Sequence, residues 1–346
     1  LYGFGVRAAL PGEFTKRAFL NGKMDLSAAE GVHDLVTAGS HQQWQAARYL
    51  AEGGLKHQIE AIRTTLLEAM ALFEARIDFP DEGDTADVGL QLALDKVNQV
   101  KVQAEQLLDS YQSGKIAQEG MRIVFVGPPN SGKSTLLNRL INEDRAIVTD
   151  VPGTTRDYIE VPCLIEGRLC RIFDTAGVRD TEDQVEKMGV QATLRLVESA
   201  DLVIELRALD AVDSGIVLEE VAGQKRLVVY TKSDLSPSSP SGGGLVISAQ
   251  SGQGLKELKQ EIAKTCDAFT APLKEAAYIT NARQKSYLEK ALQGIAKALA
   301  AHQSGQFDEM IAFELQQATR ELSGIIGDVQ ADDVLEQIFS TFCVGK

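Results

Sequence analysis

Gly127 to Ser134 read GPPNSGKS and follow the apolar run Met121 to Val126. Glycines at 127 and 132 let backbone N–H groups turn inward, and a ring of such groups binds an anion. Lys133 adds a charge that can reach the β and γ oxygens of a nucleoside triphosphate, and the Ser134 hydroxyl can ligate Mg²⁺. The residues from about Ser134 to Ile141 read as a helix, whose positive end faces the same phosphates. The pattern alone is moderately specific. With a strand before it and a helix after it, it reads as a phosphate-binding loop. Its candidate contacts are Asn130, Ser131, Gly132, Lys133, Ser134 and Thr135, with Lys133 also a candidate catalytic group.

Two further stretches choose the base. DTAG, Asp174-Thr175-Ala176-Gly177, follows an apolar strand pattern, Leu169 to Phe173. Asp174 can hold Mg²⁺ through water, and the Gly177 N–H can meet a γ-phosphate. TKSD, Thr231 to Asp234, follows the strand pattern Arg226 to Tyr230. Asp234 can accept the N1 and N2 protons of guanine as a bidentate pair, which adenine cannot supply. Ser248-Ala249-Gln250 fits a backbone contact to the guanine O6. A strand-end turn is the ordinary reading of each, and for TKSD alone the better one. Their order and their places at strand ends argue instead for GTP and GDP, with Thr231 and Lys232 lining the base.

Hydrolysis needs an oriented water. Many small GTPases place Gln directly after the DTAG-type stretch; here that residue is Val178, whose side chain cannot hydrogen-bond. Asn130 offers a carbonyl oxygen inside the phosphate loop that could bind a monovalent cation. The segment IVTDVPG, with Thr149, Asp150, Val151, Pro152 and Gly153, and Thr154 after it, could close over that ion. Thr149, Val151 and Thr154 would complete its shell, and such a charge would neutralise the transition state. Thr155 is the candidate second side-chain ligand of Mg²⁺. Arg156 and Arg179 resemble arginine fingers, but solvated switch residues are their ordinary reading.

These residues need a scaffold. Residues 121 to about 269 alternate short β-branched runs with helical stretches, which predicts a mainly parallel sheet with helices on both faces. Strands are expected at 121–126, 157–166, 168–173, 201–206, 226–231 and 245–248, with 236–244 a surface loop. Both flanks repeat apolar residues at helical spacing, as in Ile59, Ile62, Leu66, Met70 and Phe73. Pro11 suits a first helical turn, Asp25 a helix cap, and Pro80 with the acidic stretch 81–87 a helix end. Neither flank looks complete by itself. The expected architecture is an α/β P-loop GTPase domain inserted into a discontinuous all-α domain. Its boundaries are 1–117 and 271–346 for the helical parts and 118–270 for the Ras-like GTPase part.

The chain of 346 residues has a formal net charge of −14, which excludes nucleic-acid binding through a broad positive field. Cys163, Cys170, Cys266 and Cys343 lack zinc-ligand spacing. Cys163 and Cys170 are expected to face each other, reduced, across a hairpin turning at Glu166-Gly167. No apolar run is long enough to cross a membrane and no signal peptide is evident, so the expected location is the cytoplasm, with no membrane partner. The chain opens on Leu1 rather than Met, as a fragment would.

The nucleotide stretches resemble the translation-factor-related GTPases. Within them the chain is similar to the tRNA-modification GTPase family MnmE, also called TrmE. PGEFTKRAFLNGKMDLSAAEGVHDL, GPPNSGKSTLLNRL, TDVPGTTRD, DTAGVRD and the terminal FCVGK carry that resemblance over essentially the whole chain. It implies K⁺ at Asn130, and Glu186 as a catalytic group acting at a distance through a bridging water. From the residues alone, Glu186 is a solvated face of a switch helix. It implies a transient homodimer of GTPase domains. The partner is MnmG, an FAD-dependent protein, in carboxymethylaminomethyl modification of the tRNA wobble uridine. It also implies 5-formyltetrahydrofolate near Lys23 and Lys346, and a requirement for Cys343 in tRNA modification. Thr231 departs from the pattern, standing where the family usually has Asn; this weakens a purine contact but leaves Asp234. The family's N-terminal folate-binding, dimerising domain would lie before Leu1. The alternatives are a ribosome-assembly GTPase of the Era/Der type, which predicts a second GTPase domain or a basic tail, and a dynamin-like GTPase, which predicts a long stalk or a membrane surface. None of these features is present in the sequence.

Overall fold

The computed structural model describes residues 7–78, 83–143, 159–174, 194–210, 225–236, 244–274, 277–328 and 332–343. In chain order its helices are α1 (Glu13–Leu20), α2 (Leu26–Thr37), α3 (His41–Ala51), α4 (Gly54–Asp78), α5 (Gly83–Asp109), α6 (Tyr111–Glu119), α7 (Lys133–Glu143), α8 (Leu255–Thr270), α9 (Ala282–Gln303), α10 (Asp308–Ile326) and α11 (Asp332–Ser340). The strands are β1 (Met121–Val126), β2 (Ile159–Ile165), β3 (Arg168–Asp174), β4 (Leu202–Ala208), β5 (Lys225–Thr231) and β6 (Leu245–Val246). The chain divides into two compact units. Leu1–Ala38, Gln42–Gln118 and Ala271–Lys346 form one, and Glu119–Thr270 with Gly39–His41 the other.

The first unit is helical. Helix α4 buries Leu55, Ile59, Ile62, Leu66, Ala69, Met70 and Phe73, three or four residues apart, so one stripe faces inward. That stripe joins Val97 and Val100 of α5, Ile295 of α9, and Leu315 and Leu322 of α10 in one continuous core. Asp25 caps α2 by accepting the Ala28 N–H at 3.0 Å, and Asn281 caps α9 by accepting the Gln284 N–H at 2.9 Å. A smaller core gathers Leu26 and Ala29 of α2 with Leu335, Phe339 and Phe342. Two boundaries differ from expectation. Helix α1 begins at Glu13, after Pro11, because Gly12 takes a left-handed φ of 64°. A Cβ there would sit 2.5 Å from the Phe339 carbonyl oxygen, so the close approach requires glycine. Helix α4 ends at Asp78, before Pro80, as expected, but α5 already begins at Gly83, within the stretch read as a helix end.

The second unit holds a six-stranded sheet in the order β2-β3-β1-β4-β5-β6. β1 runs parallel to β3 and β4, β5 parallel to β4 and β6, and only the β2–β3 pair is antiparallel. The central strands read as continuous apolar runs because both of their faces are covered: Ile123, Val124, Phe125 and Val126 of β1 are all buried. In the β2–β3 hairpin Cys163 lies opposite Cys170, and both are buried and form no disulfide. The turn uses left-handed Glu166 and Gly167, φ 48° and 77°, as two-residue hairpin turns require. β6 is shorter than expected, ending at Val246. The parallel strands β1, β3, β4 and β5 all point their carboxyl ends one way, where open α/β sheets bind ligands.

Candidate nucleotide site

β1 ends at Val126 and the phosphate loop turns at once. Gly127 has φ 152°, and a Cβ on it would lie 2.4 Å from the Leu206 carbonyl oxygen of the neighbouring strand. Gly132 has φ 91° and Asn130 the left-handed φ of 63°. A loop with such positive φ values turns successive N–H groups to one side, and α7 starts directly after it at Lys133. Lys133 is 7% exposed, and its ammonium donates to the Gly127 and Pro128 carbonyls, both at 2.9 Å. The lysine is therefore folded back over its own loop. Asn130, Ser134 and Thr135 are exposed at the loop and at the start of α7, while Ser131 is buried beneath them.

The register of β3 against β1 sets Asp174 opposite Phe125. Asp174 is buried, and its Oδ2 accepts the Ser134 hydroxyl at 3.0 Å. The two oxygen-bearing groups that the sequence assigned to one magnesium ion thus meet, from residues 40 apart. Hard oxygen donors of this kind suit Mg²⁺.

The base end is made by side chains. Asp234 is exposed, and its Oδ1 accepts the Ser248 hydroxyl at 2.6 Å. The same hydroxyl accepts the Ser251 N–H at 3.1 Å, and the Gly252 N–H donates to the Ser248 carbonyl at 2.9 Å. The Ser248-Ala249-Gln250 turn and Asp234 are therefore one bonded piece. Thr231 is buried, and its hydroxyl donates to the Ser131 carbonyl at 2.7 Å. The structure thereby gives Thr231 a task that the sequence reading missed. The residue read there as a weakened purine contact braces the base-reading strand end against the phosphate loop. The signal was a hydroxyl at the end of a strand, but its partner depended on strand order. Lys232 has a left-handed φ of 61°, a conformation that costs a non-glycine residue on the order of 1 kcal/mol. Its ammonium donates to both carboxylate oxygens of Asp210, at 3.0 and 2.9 Å.

Thr149, Asp150, Val151, Pro152, Gly153, Thr154, Thr155, Arg156, Thr175, Ala176, Gly177, Val178, Arg179, Glu186 and Lys346 lie outside the described residues. In the helical unit, Lys23 is exposed after α1, and its N–H donates to the Ala18 carbonyl at 2.9 Å. Cys343 is exposed, and its carbonyl accepts the Gly12 N–H at 3.4 Å. No described helix is long and apolar enough to cross a membrane.

The family model of the MnmE helical domain matches residues 26–343. A tRNA modification GTPase MnmE of Hyphomonas neptunium is 41% identical over 345 residues, which cover 99% of this chain and 77% of that protein. The MnmE of Thermotoga maritima is 40% identical over 358 residues, covering 99% of this chain and 78% of that protein. The MnmE of Carboxydothermus hydrogenoformans is 38% identical over 355 residues, with 99% and 77% covered. A phosphate loop, a paired serine and aspartate, and a base-reading turn thus stand at the carboxyl ends of one sheet, in a chain whose likeness to these proteins runs nearly end to end; the chain belongs to the tRNA modification GTPase family MnmE.

Proposed function

We propose that this chain hydrolyses GTP to GDP and phosphate with stimulation by K⁺. We further propose that it acts in the cytoplasm with an MnmG-type FAD-dependent partner in carboxymethylaminomethyl modification of the tRNA wobble uridine. The observation that carries the reading is the meeting of Lys133, Ser134 and Asp174 at one end of the sheet, with Asp234 and Ser248 on neighbouring strand ends. Residues 130–135, 149–155, 174–177, 231, 232, 234 and 248–250 contact the nucleotide. The loop amides and Lys133 hold phosphate, and leaving the loop carbonyls for a phosphate oxygen replaces neutral acceptors by an ionised one, the stronger bond. Asp234 takes the two guanine protons while Ser248 keeps it aimed.

Ser134 and Thr155 would hold Mg²⁺, with Asp174 as a further acidic group beside Ser134, and Asn130, Thr149, Val151 and Thr154 would hold K⁺. These ions supply positive charge where negative charge develops on the phosphate oxygens. The exposure of Asn130 in the loop supports its part in that shell. Glu186 orients the attacking water, because Val178 cannot. The GTPase units pair transiently through their switch segments during turnover, and tRNA is reached through the complex with the partner. Lys23 and Lys346 serve 5-formyltetrahydrofolate where the family's N-terminal domain is present, and the exposed Cys343 thiol serves the modification.

Single-turnover GTP cleavage in KCl against NaCl tests the catalytic part. The rate should be higher in KCl. Asn130→Ala should lose most of that stimulation while keeping GDP. Glu186→Ala should slow cleavage about a hundredfold or more without loss of K⁺-promoted pairing. Equal wild-type rates in the two salts would rule out the cation and make Arg156 or Arg179 the better candidate. Pull-down of the partner and of hypomodified tRNA tests the rest.

A further inference from the structure

Lys232 stands between two contacts that shape the base end: Thr231 to the Ser131 carbonyl, and Asp234 to the Ser248 hydroxyl. Its left-handed φ of 61° makes the turn that separates them. A long side chain gains nothing from that backbone conformation, and such residues persist where their surroundings over-determine them. Four bonds to the end of β4 do so. The Leu209 N–H donates to the Thr231 carbonyl at 3.0 Å, and the Thr231 hydroxyl also reaches the Arg207 carbonyl at 3.4 Å. Both act before the turn. Asp210 alone of these grips the turned residue, through the two charge-assisted bonds to its ammonium. The partners are 28% and 33% exposed, so solvent screens the pair only in part.

Charge gives the pair a second effect. Asp234 follows Lys232 by two residues, so a second carboxylate stands on the turn whose ammonium Asp210 holds. While Asp210 holds the Lys232 charge, Asp234 keeps a neutral hydroxyl as its partner, which leaves acceptor capacity for two base protons. An ammonium released from Asp210 is a competitor for that capacity.

We infer that Asp210 is a positioning residue for guanine recognition: by holding the Lys232 ammonium it fixes the left-handed turn that aims Asp234 and keeps that carboxylate open to the base. The inference rests on the nucleotide reading above and adds a residue outside the recognised stretches. Asp210 acts through Lys232 and touches no base.

GDP and inosine diphosphate separate this role from simple stabilisation. Inosine lacks the 2-amino group, so it uses one of the two contacts Asp234 offers. Asp210→Asn should weaken GDP about fivefold, the span a half-exposed ion pair supports, and inosine diphosphate less than about twofold. Asp210→Glu should restore most of the GDP affinity, and Asp210→Asn added to Lys232→Met should change neither nucleotide. Equal weakening of both nucleotides, or none, overturns the inference. So does a lowered melting temperature with an unchanged ratio of the two affinities. If Asp210→Asn fails to fold, Asp210→Ser decides: a preference for GDP over inosine diphosphate reduced from wild type supports the role, and a wild-type ratio in the folded protein removes it. A wild-type protein that does not prefer GDP to ADP overturns the nucleotide reading, and this inference with it. A wild type that prefers GDP, with an unaltered Asp210→Asn, overturns the inference alone.

Discussion

Both units bury polar and charged groups, but at different places and with different partners. In the nucleotide unit Ser131, Lys133, Asp174, Thr231 and Ser248 are buried at strand ends, and several of their bonds end on loop carbonyls. In the helical unit Glu30 of α2 takes the Arg283 guanidinium at 2.8 and 3.0 Å and the side-chain amides of Asn281 and Gln284 at 3.0 Å. Arg283 also donates to the Gly324 and Ile325 carbonyls at the end of α10, at 2.9 and 3.0 Å. Helices α2, α9 and α10 are thereby joined by one ionic knot. The lesson is that buried polarity serves two ends. At strand ends it arranges donors and acceptors for something that arrives; in a helix seam every atom is already spent on the fold. Loss of a group from the first should show in binding, and from the second in stability.

The largest effect should come from the knot. Glu30→Ala leaves the Arg283 charge in a half-closed seam and should cost about 3 kcal/mol of unfolding free energy in urea. Its affinity for GDP should match wild type. An equal loss of GDP binding in the folded protein would erase the contrast between the units. Next comes Asp234→Asn, which should weaken GDP about a hundredfold, as expected for losing charged hydrogen bonds, and raise affinity for xanthosine diphosphate, because the amide can donate to the 2-oxo group. Calorimetry with both nucleotides checks this, and a melting temperature within a degree or two of wild type would keep the contrast intact. Thr231→Val keeps the shape and removes the brace to Ser131; release of a fluorescent GDP should quicken about tenfold. Unchanged release would make the brace idle.

The smallest effect separates the units by pH. Burial, and then the neighbouring Glu30 carboxylate, push Asp34 up from 3.8 to about 7, against a hydrogen bond from Gln118 that pulls the other way. A carboxyl whose folded value is raised binds its proton more tightly when folded. Its contribution to stability is therefore complete below about pH 4 and declines as pH rises toward 7. Asp34→Asn should flatten that decline and stabilise the protein by about 1 kcal/mol at pH 8, with little change at pH 4. Melts at the two pH values test it; an unaltered slope would mean that Asp34 ionises without strain.

Much of the nucleotide unit was legible because its signals are local. A β-branched run, a glycine pair and a lysine occupy consecutive positions at Met121 to Ser134, and Glu166-Gly167 marks the hairpin that sets Cys163 against Cys170. The Ser134–Asp174 bond was readable as a shared role, though not as a contact. Distant partners left no trace in spacing. Glu30 and Arg283 are 253 residues apart, and neither position is unusual for its helix. The brace made by Thr231 was hidden for the same reason, since its bond to Ser131 spans 100 residues. Pro11 stands just outside α1 rather than in its first turn, because helix ends depend on contacts such as Gly12 against Phe339. The nucleotide contacts in 149–155 and 175–177 fall outside the described residues, so their reading stands on sequence.

The β2–β3 hairpin bears on how two copies of the nucleotide unit could meet. Among the described residues β2 is the last strand on its side of the sheet and pairs with β3. A border strand with free N–H and C=O groups invites another chain to lengthen the sheet. Pro162 sits in the middle of β2, opposite Arg171, and has no N–H to give. Glu160, two residues before it, forms an ion pair with Arg171, setting charge on the same border. At the opposite border β6 is only 2 residues long. Among the described residues neither rim offers a long unbroken row of backbone donors and acceptors, so a contact between copies would fall to loops and side chains.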